Sequence, residues 1–141
     1  MNDPWEYEEP VPFSRAMVVD LCGAALLFVS GTASVGPRGE TLHPGDFEAQ
    51  ATRMLNNVTG LLEASCAGWR DVVKTSFYLK SMKDYSSFSR IRLGFLKGLG
   101  VFPFPASTCI EAKLCREDLL CEMEAIAVVR RPLEPSSEVV P

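Results

Sequence analysis

Two glutamates near the end of the chain have the spacing of a pair that could do acid–base chemistry on a β-strand. Glu122 and Glu124 stand two residues apart within a strand predicted over 120–129. Their side chains therefore project to one face, roughly 7 Å from each other. A solvated carboxylate face is the simplest interpretation. A carboxylate partly removed from water beside the sheet would instead have a raised pKa and could act as a general acid or base.

A second potential reactive group is the thiol of Cys109, in a strand predicted over 107–114. It shares a face with Ser107 and Glu111. The only histidine, His43, lies far away in the sequence, and no basic residue is close to Cys109. A small packed thiol is therefore the simpler interpretation, and a nucleophile is the alternative.

Gly31 could contribute backbone groups to the same chemistry. It follows a predicted strand end directly, in the segment Ser30–Ser34. Glycine permits close approach to the backbone, and the successive amides around Gly31 and Thr32 could bind a carboxylate. This short motif is unspecific by itself.

The composition limits the classes of function. A chain of 141 residues has the size of one domain, and 47% hydrophobic residues are enough for a core. The net charge of −4 argues against a large nucleic-acid-binding surface. The five cysteines form no C-x-x-C pair and there is one histidine, so we expect reduced thiols and no metal site. An acidic start without an apolar run indicates a cytoplasmic protein without a signal peptide, and no stretch has the length of a membrane span.

The elements that must position these residues follow an α+β order, β-β-α-β-α-β-β. We predict an irregular arm over 1–12, one domain over 13–131 and a flexible tail over 132–141. Asp46 and Asp84 are predicted to cap the two helices. The other predicted elements are strands at Ala16–Leu21, Ala25–Ser30, Val72–Leu79, 107–114 and 120–129. Two helices on one face of the sheet leave the other face exposed, so we expect self-association to bury that face.

Several segments together resemble the reactive-intermediate deaminase (Rid, YjgF) family over roughly residues 13–130. The segments are Phe13–Ala16, Leu27–Gly31, Asp71–Thr75, Phe104–Glu111 and Glu122–Ala127. The resemblance implies a chorismate-mutase-like Rid fold, a homotrimer with a central barrel, and a small-molecule cleft between subunits. It also implies hydrolysis of enamines or imines to 2-oxo acids and ammonia without a cofactor, on a small carboxylate ligand.

The resemblance also assigns roles to individual residues. Glu122 would position the water and Cys109 would line the pocket, and both are our candidate catalytic residues. The family's carboxylate-binding arginine falls on Ser107, so the usual charge-assisted contact, worth roughly 1.5–3 kcal/mol, is missing. Arg90 and Arg92, on the polar side of the second helix, are the nearest substitutes for that cation. The predicted substrate-binding residues are Phe13, Gly31, Thr32, Ser89, Arg92, Ser107 and Thr108.

A narrower resemblance, carried by Val29–Val35, His43–Gln50 and Leu114–Glu124, is to the C-terminal Rid-like half of chorismatases. It suggests a relation to binders of cyclic carboxylates. Whether the protein is an enzyme stays open at this point. The favoured function is hydrolysis of an imine, enamine or enol-ether carboxylate. The alternatives are a non-catalytic metabolite-binding or biosynthetic accessory protein, and an endoribonuclease or translation inhibitor.

Overall fold

The structure is a computed structural model that describes residues 12–131. The predicted tail, and the predicted arm except for Pro12, lie outside the described residues. The strands and helices in chain order are β1 (Ala16–Leu21), β2 (Ala24–Ala33), α1 (Phe47–Ala64), β3 (Val72–Leu79), α2 (Tyr85–Gly98), β4 (Ala106–Glu111) and β5 (Cys121–Arg130). The α+β plan and the element order predicted from the sequence are confirmed.

The five strands form one sheet in the order β1-β2-β5-β3-β4. The β1–β2, β2–β5 and β3–β5 pairs are antiparallel, and β3–β4 is parallel. A parallel pair needs a crossover connection, and α2 provides it. β5 therefore lies in the centre of the sheet, with Glu122 near its first residue.

The first helix forms where the sequence places it. Asp46 caps it, since its side chain accepts a hydrogen bond of 3.0 Å from the backbone N–H of Ala49. The apolar stripe of α1 is buried against the sheet. The buried residues of that stripe are Ala51, Met54, Leu55, Val58, Leu61 and Leu62.

The second helix begins differently from the prediction. Asp84 makes no capping hydrogen bond with its side chain. It closes a short 3₁₀ turn, Met82–Asp84, in which the hydroxyl of Ser81 accepts from the N–H of Lys83 at 3.3 Å. Asp84 thus stands at the predicted N-cap position of α2, but the side-chain cap comes from Ser81, because an extra turn precedes the α-helix.

The predicted strand 107–114 is also shorter than expected. β4 ends at Glu111, and its last pairing joins that residue to Leu79 at the end of β3. The chain then leaves the sheet and returns to it at Cys121. A strand needs a partner for its backbone groups, and β3 offers none beyond Leu79.

The sheet face opposite the helices carries large apolar side chains with substantial exposure. Met17 on β1 is 58% exposed, Phe28 on β2 is 41% exposed, and Ile110 on β4 is 47% exposed. The other face packs against both helices and carries the core. One side of this sheet therefore presents apolar surface that the described residues do not cover.

Candidate functional site

Glu122 lies against Gly31, at the point where β2 passes β5. A Cβ atom added at Gly31 would overlap with Oε1 of Glu122, so only glycine lets the carboxylate approach this backbone. Glu122 is half-buried, and this burial raises its pKa; the neighbouring Glu124 raises it further, and Arg15 opposes the rise. The carboxyl is thus held near a cation but poorly hydrated, which favours proton exchange with a bound molecule.

Arg15 ties the start of β1 to the end of β2 beside this carboxylate. Its Nη2 donates to the carbonyl oxygen of Gly31 at 2.9 Å and to Oγ1 of Thr32 at 2.8 Å. Its guanidinium also lies 5.4 Å from the ring centroid of Phe13, which is half exposed. Thr32 is fully buried and its hydroxyl donates to the carbonyl of Ser30, so that hydroxyl serves the protein rather than a ligand. We call Phe13, Arg15, Gly31 and Glu122 the glutamate half-site.

Two buried amide side chains of α1 hold the backbone around this half-site. Nδ2 of Asn57 donates to the carbonyls of Ala33 and Val35, both at 2.9 Å, just after Gly31 along the chain. Oε1 of Gln50 accepts from the backbone N–H of Leu120 at 2.8 Å, two residues before Glu122. The positions of Gly31 and Glu122 are therefore fixed by the same helix.

A second group of polar side chains lies between α2 and β4. Nη1 of Arg92 donates to Oγ of Ser107 at 2.9 Å. Burial raises the pKa of the Cys109 thiol, and the charge of Arg92 opposes this rise. Ser89, one helical turn before Arg92, lines a cavity of about 160 Å³ with Arg92 and Ser107. We call Ser89, Arg92, Ser107 and Cys109 the arginine half-site.

Within one chain the sheet separates the two half-sites. Cys109 pairs with Phe77, which pairs with Met123 on the helix-facing side. Glu122 pairs with Tyr78, the next residue of β3, and so points to the opposite face. The two candidate catalytic residues, Glu122 and Cys109, therefore do not meet within a single copy, because they lie on opposite faces of the sheet.

The remaining predicted residues lie apart from both half-sites. Thr108 is on the open face, where its Oγ1 accepts from Nζ of Lys74 at 2.6 Å. Arg90 forms an ion pair with Glu48 of α1 on the surface, so it does not face Ser107. Of the two arginines on α2, only Arg92 reaches the strand that carries Ser107 and Cys109.

Sequence reasoning missed two polar residues next to Glu122. Arg15 was noted only as part of a motif, and its approach to Gly31 depends on the β1–β2 pairing. Tyr78 pairs directly with Glu122, and its hydroxyl donates to Oε1 of Glu124 at 3.1 Å. Burial raises the pKa of Tyr78, and the hydrogen bond to Glu124 raises it further. No local sequence signal indicates either placement, since both depend on strand register.

Neither a metal site nor a membrane-spanning helix is present among residues 12–131. No three histidine, cysteine or acidic side chains in that range are close enough to hold a metal ion together. None of the helices in that range is long and apolar enough to cross a bilayer.

Comparison with known proteins identifies relatives over most of the chain. A family model described as Endoribonuclease L-PSP matches residues 8–129. The 2-iminobutanoate/2-iminopropanoate deaminase of Escherichia coli K12 is 34% identical over 106 residues, which cover 74% of this chain and 80% of that protein. A RutC family protein of Pyrococcus abyssi is 31% identical over 116 residues, covering 82% of this chain and 85% of that protein.

Solved structures agree with the sequence matches. The YjgF gene product of Escherichia coli superposes with a TM-score of 0.75 at 31% identity, covering 92% of this chain and 96% of that chain. Escherichia coli TdcF, solved with bound serine, gives a TM-score of 0.75 at 25% identity, covering 92% and 97%. The Rid-type fold expected from the sequence is thereby confirmed.

Proposed function

The chain belongs to the endoribonuclease L-PSP family and has the fold of the YjgF protein, and we propose that it hydrolyses an imine, enamine or enol-ether carboxylate without a cofactor. The observation that carries this proposal is the half-buried carboxylate of Glu122, held between Gly31 and Arg15 with a raised pKa. The name of the Escherichia coli relative, an iminobutanoate and iminopropanoate deaminase, supports the imine as the first substrate to test.

The chemistry needs one water molecule and one group that moves protons. For an imine, Glu122 would accept a proton as water adds to the carbon of the C=N bond, and would return a proton to the nitrogen. In the resulting carbinolamine the hydroxyl gives up its proton and the amino nitrogen gains one, so that the C–N bond breaks, ammonia leaves and the 2-oxo acid remains. Glu122 must be ionised for the first step, so we expect turnover to rise as the pH increases through its raised pKa.

We further propose that the active form is a homotrimer with its clefts between copies. The sheet of one copy stands between the glutamate and arginine half-sites, so only a second copy can bring Glu122 close to Ser107 and Cys109. The exposed apolar side chains of the open sheet face, Met17 and Phe28 among them, would be covered by the same association. Light scattering should give three times the chain mass, and a stable monomer at micromolar concentration would contradict the trimer.

The decisive test is a pair of matched carboxamide variants. The 2-imino acids are generated in situ by an amino-acid oxidase, and the release of 2-oxo acid is followed. Glu122→Gln should abolish the catalysed rate while leaving the trimer intact, because shape and volume are kept. Glu124→Gln, which changes a carboxylate on the same strand and face, should keep most of the catalysed rate. Cys109→Ser should lower the rate by much less than Glu122→Gln. Loss of activity in the cysteine variant alone would reverse the assignment and indicate covalent catalysis.

Because position 107 is a serine, we expect slow hydrolysis of the smallest substrates. Ser107 supplies no charge at the position where the resemblance expects an arginine, so 2-aminoacrylate should be a poor substrate. Ser107→Arg should then increase its hydrolysis. If the natural protein already hydrolyses 2-aminoacrylate as fast as the variant, the importance of that position is refuted.

Two other functions remain to be separated from hydrolysis. A metabolite-binding or accessory role would give saturable binding of 2-oxo acids with no turnover of any imine. Ribonuclease activity is suggested by the description of the family, and the net charge of −4 does not favour binding to RNA. A nuclease assay on metal-free protein, with Glu122→Gln beside it, separates this activity from imine hydrolysis.

A further inference from the structure

The guanidinium of Arg92 occupies a defined position above the core. It lies 5.4 Å from the ring centroid of Phe77 and 5.1 Å from that of Phe88. These two rings pack against each other with centroids 4.6 Å apart, and both are buried. Two ring contacts and the hydrogen bond to Ser107 therefore orient the cation, which would otherwise be a long flexible side chain.

This cation has hydrogen-bonding capacity left for a ligand. Among residues 12–131 ion pairs join Arg90 to Glu48 and Arg131 to Asp20, and none involves Arg92. A guanidinium carries five N–H donors, and the hydrogen bond to Ser107 uses one of them. Two parallel N–H groups of an arginine match the two oxygens of a carboxylate.

Directly beside this guanidinium is a cavity suited to an apolar group. Its volume is about 160 Å³, and among the described residues that line it Arg92 is the only charged one. The apolar part of its wall includes Trp69, Phe77, Leu96 and Phe104. A purely apolar cavity of about 150 Å³ can hold a benzene molecule, so this volume is enough for one ring. A side chain of one carbon would leave most of it unfilled.

We propose that Arg92 is the carboxylate-binding residue of this protein and that the adjoining cavity selects substrates with a ring-sized or branched apolar side chain. The substrates would then be the 2-imino or 2-enamino acids related to aromatic or large aliphatic amino acids. This inference rests on the proposed hydrolytic function for its chemistry. Its geometric basis does not depend on that function, because the oriented guanidinium of Arg92 lines the apolar cavity between α2 and β4.

The test measures binding of two product probes, phenylpyruvate and pyruvate, to the full-length protein by titration calorimetry. Phenylpyruvate should bind roughly tenfold or more tightly than pyruvate, since only its ring fills the cavity. Arg92→Met keeps the apolar stem over the rings and removes the charge, so it should weaken both ligands by roughly tenfold or more. Arg90→Met, two residues away and outside the half-sites, is the matched control and should change neither affinity.

A second pair of variants separates charge from shape and guards against misfolding. Ser89→Leu projects a larger side chain into the cavity and should weaken phenylpyruvate by more than it weakens pyruvate. Arg92→Lys keeps the charge without the planar fork, so its affinities should fall between those of the natural protein and Arg92→Met. Light scattering and circular dichroism establish that each variant retains its assembly and fold. If Arg92→Met misfolds, the comparison of Arg92→Lys with Arg90→Met decides the question.

The binding readout distinguishes failure of this inference from failure of the proposed hydrolysis. Arg92-dependent binding of phenylpyruvate without turnover of any imine would refute the hydrolysis and support the inference. Turnover that needs Glu122 but has the same KM in Arg92→Met would support the hydrolysis and overturn the inference. Equal affinities for phenylpyruvate and pyruvate in the natural protein would overturn the assignment of the cavity.

Discussion

Asn57 gives the sharpest test of how the glutamate half-site is held in place. This side chain is 7% exposed and donates both N–H groups of its amide, to the carbonyls of Ala33 and Val35. The two carbonyls lie just beyond Gly31, at the last residue of β2 and two residues after it. Removing the amide leaves the carbonyl of Val35 without this donor in the interior, whereas the carbonyl of Ala33 still accepts from the backbone N–H of Val35 at 2.9 Å.

The size of the effect follows from that lost hydrogen bond. A buried polar group that loses its partner costs about 1–3 kcal/mol, and a cavity is created as well. For the carbonyl of Val35 together with the cavity, we expect Asn57→Ala to reduce the free energy of unfolding by about 2–4 kcal/mol. The neighbouring Asn56 is exposed on the same helix, so Asn56→Ala should change the free energy of unfolding by less than about 0.5 kcal/mol.

Urea unfolding of the three proteins at one fixed chain concentration measures both changes, since stability of an oligomer depends on concentration. Asn57→Ala should also lower the catalysed rate, because Gly31 is the backbone against which Glu122 lies. If Asn57→Ala and Asn56→Ala unfold at the same urea concentration, the two hydrogen bonds do not hold this region and the reasoning is refuted.

Three further predictions concern the pH dependence of stability, the close packing at Gly31 and the reactivity of the thiols. Burial raises the pKa of Glu122 above its ordinary value of 4.5, so ionisation of this carboxyl reduces the stability of the folded protein above the raised pKa. Glu122→Gln should therefore have a higher Tm than the natural protein at pH 7, and the difference should shrink as the pH falls. A difference in Tm that does not depend on pH would contradict this. Gly31→Ala should displace the flexible carboxylate of Glu122 at little cost in stability and cut the rate at least tenfold, whereas Gly60→Ala, which meets nothing within 4 Å, should keep full activity. In native protein Cys121, whose burial raises its pKa to about 12, should resist thiol reagents and Cys109 should react slowly; rapid labelling of Cys121 would contradict its burial. The cysteines expected to react fast are Cys22, Cys66 and Cys115.

The sequence alone determined the elements and their order. β1 and β3 have the bounds that the apolar pattern predicted, and Asp46 caps α1 as expected. These features depend on neighbours within a few residues, so they can be inferred locally. The N-cap position of α2 was predicted at Asp84, but the short 3₁₀ turn before it, capped by Ser81, was not.

The tertiary structure decided which polar residues meet. Arg92 and Ser107 are fifteen residues apart and lie on different elements, and their contact depends on the rotation of α2 over β3 and β4. Strand register placed Glu122 and Cys109 on opposite faces, although each side-chain alternation was predicted correctly. Alternation along one strand is fixed by backbone geometry, but the relation between two strands depends on pairing that spans the whole chain. The sequence could therefore name candidate groups for acid–base chemistry, and only the folded sheet separates them into two half-sites.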